Sequence, residues 1–274
     1  NIRQMTIQKN IFLIESDQNN FETLEEENSI QFDLNDPENQ FELGLIYHNG
    51  EGVERDIFKA ILYYSLAADQ NHIEAQFNLG AIFHKGEGVE RDIVKAIHYY
   101  SLAANQNYPQ AQYYLGLIYY EGEYIKQDIN KAFYYFQLAA NQNHPQAQFY
   151  LGLFYHKGTS VQQDINKAIH YYTIAADKNI TEAQLNLGLI YSKGMYLDIN
   201  KAIYYYSLAV NQNDPEGQFH LGFIFASGKY IQPDINKAIH YYGLAANQNH
   251  VYAQFNLGSI YYEGIYVQRD ISKA

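Results

Sequence analysis

Residues 147–182 read AQFYLGLFYHKGTSVQQDINKAIHYYTIAADKNITE, and two helices with a turn between them can be read from that string alone. The first runs to Gly158, where a glycine in the left-handed conformation would end it. Asp164 then stands as the N-cap of the second helix. Within that helix Ala168, Tyr172 and Ala175 fall at i, i+4 and i+7, a single buried stripe. Gly152 lies inside the first helix, where glycine costs about 1 kcal/mol against alanine. The spacing therefore predicts a close helix–helix approach at Gly152, with Ala168 and Ala175 facing it.

The same string returns along the chain with a period of 36 residues. Units start at Asn39, Ala75, Ala111, Ala147, Ala183, Gly217 and Ala253, and only the fifth is shorter, at 34, because its loop Lys193–Asp198 lacks two residues. Four of the five prolines (Pro37, Pro109, Pro145, Pro215) stand two residues before a unit, at the first helical position, where a missing N–H costs nothing. A fixed period of this size predicts a solenoid, in which each unit buries its apolar face against its neighbours. Residues 39–274 thus read as six full repeats and a truncated seventh, and residues 1–38 as a non-repeat acidic cap or linker. Phe21, Leu24 and the acids around them are expected to form a capping helix. The seventh repeat stops inside its second helix, at Asp270–Ala274, so both ends read as cut and the native chain is expected to continue.

The pattern A-x-x-x-L-G-x-x-Y-x-x-G followed by D-x-x-K-A-x-x-Y-Y-x-x-A-A, carried through residues 39–274, resembles the Sel-one-like repeat, a relative of the tetratricopeptide repeat. The resemblance implies an all-α fold, a right-handed superhelical α-solenoid of antiparallel helix pairs, and a non-catalytic role as adaptor or scaffold for other proteins. Some cysteine-rich relatives bind or cleave β-lactams, but they carry paired cysteines and this chain has none. The excess of Asn, Ile, Tyr and Phe is similar to that of amoeboid and trichomonad members, in which such repeats often follow a kinase-like domain. Two alternatives therefore stand beside the scaffold: the repeat tail of a multidomain signalling enzyme, and a structural subunit embedded in a large assembly.

Charge narrows the partners. The net charge is −12, and nine acids against two bases fall in the first 38 residues. An acidic chain without a basic stripe is a poor match for phosphate backbones or an anionic membrane surface, which argues against nucleic acid and leaves other proteins as partners. No apolar run approaches the roughly 18 residues that span a bilayer. The absence of cysteine and of a visible signal peptide favours the cytoplasm. Asn179-Ile180-Thr181 matches a glycosylation sequon, as an Asn-rich chain does by chance.

No cofactor, metal or catalytic constellation emerges. GEGVERD, at Gly50–Asp56 and Gly86–Asp92, lacks the third glycine of a phosphate loop and joins two helices. His48, His84 and His156 share one repeat position, and His98, His170 and His240 another. Equivalent residues of adjacent repeats lie about 10 Å apart, too far to close on a zinc ion that needs ligands at about 2 Å; these histidines read as solvated or rim residues. The recurring lysines, from Lys59 to Lys273, read as architectural.

Binding residues are expected on the first helices, which line the concave side if the tetratricopeptide mapping holds. The third-position row is Phe41, Phe77, Tyr113, Phe149, Leu185, Phe219 and Phe255; the tenth is His48, His84, Tyr120, His156, Ser192, Ala226 and Tyr262. Between them runs a seventh-position row of Leu45, Ala81, Leu117, Leu153, Leu189, Phe223 and Ser259. Such a face is aromatic, apolar and nearly uncharged, the composition of a protein-binding groove. The competing reading has the third-position row partly buried between repeats.

Overall fold

The computed structural model describes residues 33–264, which form thirteen α-helices and no strand. They are α1 Pro37–Asn49, α2 Ile57–Asp69, α3 Ile73–Lys85, α4 Ile93–Asn105, α5 Pro109–Glu121, α6 Ile129–Asn141, α7 Pro145–Lys157, α8 Ile165–Asp177, α9 Thr181–Tyr191, α10 Ile199–Asn211, α11 Pro215–Ser227, α12 Ile235–Asn247 and α13 Val251–Glu263. The chain divides into two compact units, Asn1–Asp128 with α1 to α5 and Ile129–Ala274 with α6 to α13. Each is an all-α stack of helix pairs, as the period predicts. The expected cap within residues 1–32 and the second helix of the seventh repeat, at Asp270–Ala274, lie outside the described residues.

The helix ends follow from local chemistry. Pro37, Pro109, Pro145 and Pro215 open α1, α5, α7 and α11. Asp56, Asp92, Asp164, Asp198 and Asp234 cap second helices, each accepting the backbone N–H of the lysine three residues on at 2.9–3.1 Å. Gly158 closes α7 at φ 70°. The fifth repeat departs from this rule: α9 ends at Tyr191, and Gly194 instead opens a short 3-10 turn, Gly194–Tyr196. Its shorter loop leaves no room for the glycine-capped exit.

The exit from each second helix carries a signal the sequence reading missed. Asn71, Asn107, Asn143, Asn179, Asn213 and Asn249 all have φ of 59–65°. Asparagine tolerates that left-handed conformation better than most residues, and the residue after it returns an N–H to the helix, as His72 does to Ala67 O at 3.1 Å. The recurring Gln-Asn thus turns the chain from one repeat into the next.

Packing corrects one expectation. The recurring glycine of the first helix faces the second tyrosine of the Tyr-Tyr pair, and not the alanines. A Cβ on Gly80, Gly152, Gly188 or Gly222 would come within 2.5–2.6 Å of the ring of Tyr100, Tyr172, Tyr206 or Tyr242 respectively. The alanines serve the next contact along: a Cβ on Gly217 would meet that of Ala209 at 2.9 Å. An aromatic ring is wider than a methyl group, so it is the ring that requires its neighbour to lack a side chain.

The first tyrosine of the pair packs differently. Tyr63, Tyr99, Tyr171, Tyr205 and Tyr241 stack on Tyr47, Phe83, Tyr155, Tyr191 and Phe225, with centroids 5.6–5.9 Å apart. Over the second ring of each stack lies the ammonium of Lys59, Lys95, Lys167, Lys201 or Lys237, 4.6–5.0 Å from its centroid. The recurring lysines are therefore architectural through cation–π contact as well as through the capped N–H.

A glutamine ladder, with exposed donors and buried acceptors, ties repeat to repeat. Gln70, Gln106, Gln212 and Gln248 donate from Nε2 to Oε1 of Gln40, Gln76, Gln184 and Gln218 at 2.9–3.0 Å. At one rung the donor changes: Lys178 stands where the others have glutamine, and Oε1 of buried Gln148 has no hydrogen-bond partner.

Candidate partner-binding face

The face predicted from the three rows can be followed within each unit. In the first, Phe41 packs on Tyr64 at 5.8 Å and stacks on His72 at 4.5 Å. Phe77 contacts Tyr100, Tyr108 and Tyr114 at 5.3–5.8 Å, and Tyr113 lies edge-on to Tyr114 at 5.4 Å. In the second, Phe149 packs on Tyr172 at 5.8 Å, and Phe219 on Tyr242 and His250 at 6.0 and 4.7 Å. These five rings are half-buried: one side is engaged and the other reaches water. Phe255 and Tyr262, on α13, are exposed. The third row packs against rings of its own repeat and of the next and still presents an edge to water.

The tenth-position histidines are less free than a rim residue. Nδ1 of His48, His84 and His156 lies 3.2, 3.5 and 3.4 Å from the hydroxyl of Tyr64, Tyr100 and Tyr172. Burial, reinforced by neighbouring Arg91 and Lys85 for His84 and by Lys157 and Lys193 for His156, holds both imidazoles below the usual histidine pKa. Burial likewise raises the Tyr64 and Tyr100 hydroxyls. In these three repeats the imidazole covers the buried hydroxyl. Tyr120 is half-buried on the same row. By contrast His98, His170 and His240, on the second helices, are exposed as expected.

A hollow of about 530 Å³ opens on this face in the first unit, with Phe77 and Ala81 among its lining and His48, His84, Tyr114 and Arg91 around it. Glu87 bridges two repeats at its edge, lying 3.1 Å from His48 Nε2 and paired with Arg55. The hydrogen bond with His48 is the main reason its carboxyl sits below the usual range, and burial partly opposes it. Tyr114 occupies a repeat position whose residue type varies, and Glu87 one that is glutamate in the first three repeats only.

A second cavity, of about 410 Å³, lies in the other unit beside the short fifth-repeat loop. Nothing in the sequence reading anticipated it. Among the described residues no cluster of three or more His, Cys, Asp or Glu side chains could hold a metal ion. No described helix is long and apolar enough to cross a membrane.

Stacked helix pairs with a shared aromatic face define a helical repeat protein. The Sel1 repeat matches residues 37–72, 73–108, 109–144, 145–180, 181–214, 215–250 and 251–274, so the chain belongs to the Sel1 repeat family. Members of that family generally act as protein-interaction scaffolds and are generally non-catalytic. The matches begin at the first helical residue, two positions before the units defined above. Among solved structures, a protective antigen of uropathogenic Escherichia coli with an SLR fold is 30% identical with a TM-score of 0.81, covering 87% of this chain and 52% of its own. A Sel1 repeat protein from Oxalobacter formigenes is 32% identical with a TM-score of 0.72, covering 87% of this chain and 70% of its own. The chain thus spans about half the length of the Escherichia coli protein. No curated protein matches it.

Proposed function

We propose that the chain is a scaffold that holds a partner protein, or an extended segment of one, in a groove on the first-helix face of its repeats. One observation supports this reading above the others. At the third, seventh and tenth positions no described residue is fully buried, although the rows are built of Phe, Tyr, Leu and His. Phe223, for example, is 54% exposed. Water-facing apolar rows of this kind are stabilised by a partner's side chains. Phe41, Phe77, Tyr113, Phe149, Phe219 and Phe255 would supply anchors, and His48, His84, Tyr120, His156 and Tyr262 the polar edge.

A second reading has its own support. The second helices of the first two repeats expose Phe58 and Val94, at 73% and 75%, so a structural subunit covered on that side is the alternative. Photo-crosslinking residues placed singly at Phe77, Phe149 and Phe223, and at Phe58, Val94 and His98, separate the two in the native cell. The scaffold reading expects partner adducts from the first set. Adducts only from the second set would overturn it in favour of the embedded subunit.

A further inference from the structure

The 410 Å³ cavity of the second unit is lined by Ser192, at a position where three other repeats carry an imidazole. In the first, second and fourth repeats the tenth position is His48, His84 or His156, whose ring covers the buried tyrosine hydroxyl. In the sixth it is Ala226, and there the Tyr242 hydroxyl accepts from Asn256 Nδ2 at 3.1 Å. In the fifth repeat the position holds Ser192, whose own hydroxyl donates to Leu189 O at 2.9 Å. Tyr206 is 1% exposed, lines the cavity, and its hydroxyl has no hydrogen-bond partner among the described residues.

The walls are apolar, with Leu189, Phe219, Phe223 and Ile231 among them. The Ser192 and Ser227 hydroxyls of the lining already donate to Leu189 O and Ile224 O at 2.9 and 3.2 Å. Lys193 and Lys229 also line the cavity, and neither pairs with a carboxylate among the described residues, the Lys229 ammonium lying 4.8 Å from the centroid of the Tyr230 ring. Lys229 is also a charge reversal within the repeat, since the equivalent position holds Glu51, Glu87 and Glu123 in the first three repeats. His220 is turned away from this role, with Nε2 engaged by Glu216 at 3.3 Å.

From this geometry we infer that the cavity binds an apolar or aromatic carboxylate, its body against Phe219 and Phe223 and its anion met by Lys193 and Lys229. Two ammonium groups complement a carboxylate more strongly than a neutral amide. The volume falls within the range of small-molecule sites. The same chemistry is offered by a free aromatic acid and by the hydrophobic C-terminal residue of a peptide. The inference deepens the groove reading by naming a ligand chemistry for one point on that face, but binding of a free acid requires no partner groove.

The test uses the whole chain and calorimetric titration with 3-phenylpropanoate, its amide, and a hexapeptide ending in phenylalanine with a free or an amidated terminus. Binding of the free acid, of the acid-ended peptide, or of both supports the site and identifies the source, with the amides weaker by about tenfold or more. Ser192→His restores the imidazole of the sister repeats, so it is expected to fold and to abolish binding. A Lys193→Gln, Lys229→Gln double variant should erase the preference for acid over amide while heat denaturation stays cooperative. No saturable binding of either acid, or binding that Ser192→His leaves unchanged, overturns the assignment. Cross-links from Phe77 and Phe149 are unaffected by Ser192→His, so failure here and failure of the groove reading are separable.

Discussion

The fourth and fifth repeats are neighbours in sequence, and among their differences are a histidine replaced by serine at the tenth position and a loop shorter by two residues. In the fourth, Gly152 receives the Tyr172 ring, His156 covers its hydroxyl at 3.4 Å, and α7 leaves through a left-handed Gly158. In the fifth, Gly188 receives Tyr206, yet with Ser192 in place of histidine no imidazole reaches the hydroxyl from that position, and the ring is instead stacked by His220 at 4.7 Å. Burial pushes the Tyr206 hydroxyl up to about 12, with Ser192 close enough to temper the rise. The glycine–tyrosine contact is common to both because the helix pair cannot close without it. The residue above the hydroxyl is free to change because it closes nothing but a polar gap, and there the repeats acquire individual character.

The largest effect should come from the shared contact. Gly152→Ala is expected to destabilise by about 1–3 kcal/mol through overpacking against Tyr172, despite alanine's higher helix propensity. Gly188→Ala should cost less, since the Tyr206 ring borders a cavity into which it can shift. Gly243→Ala, where a Cβ meets nothing within 4 Å, should instead stabilise by up to about 1 kcal/mol. Urea denaturation of the three variants orders them, and equal costs at Gly152 and Gly188 would remove the distinction between the two repeats.

Exchanging the tenth-position residues should nearly invert the comparison. His156→Ser is expected to destabilise by about 1–2 kcal/mol by leaving the Tyr172 hydroxyl uncovered, and Ser192→His to stabilise by about 0.5–1.5 kcal/mol. The same exchange changes the response to pH. Burial holds the folded pKa of His84 and His156 below the ordinary histidine value, so protons bind the unfolded chain better. Stability is thus fully present above about pH 6.5 and is lost as pH falls from there toward the depressed folded values. Melting temperatures at pH 7.5 and 5.5 should differ less in His156→Ser than in wild type and more in Ser192→His.

The smallest effect concerns the joint between these repeats. Lys178→Gln restores the donor that Gln148 Oε1 lacks and is expected to stabilise by about 0.5–1 kcal/mol. Chemical denaturation of this variant checks it, and no gain would mean that Gln148 is already satisfied by solvent.

Much of the architecture could be read in advance because it is periodic. The prolines at helix starts, the capping aspartates and the terminal glycines act within a few residues of themselves, and repetition multiplies each signal. The partner of Gly152 was misassigned because alanine and tyrosine share one helical stripe, and spacing alone does not say which of them points at the glycine. The left-handed asparagines, five of the six preceded by glutamine, look like polar loop filler until the backbone angle is seen. Within the candidate face, the rows of Phe77, Phe149 and His84 were legible as rows, whereas their half-burial depends on rings such as Tyr108 and Tyr172 that arrive from other helices.

By itself the sequence determined the all-α repeat, its period, the helix ends and the family, since these rest on local propensity and repetition. Only the tertiary structure decided which atoms share a surface: tyrosine against glycine, imidazole over phenol, glutamine to glutamine across thirty residues. The cavity beside Tyr206 belongs to the second kind. It exists because a serine, a shortened loop and a phenol from a different helix meet at one point, and no periodic pattern records a meeting that happens once.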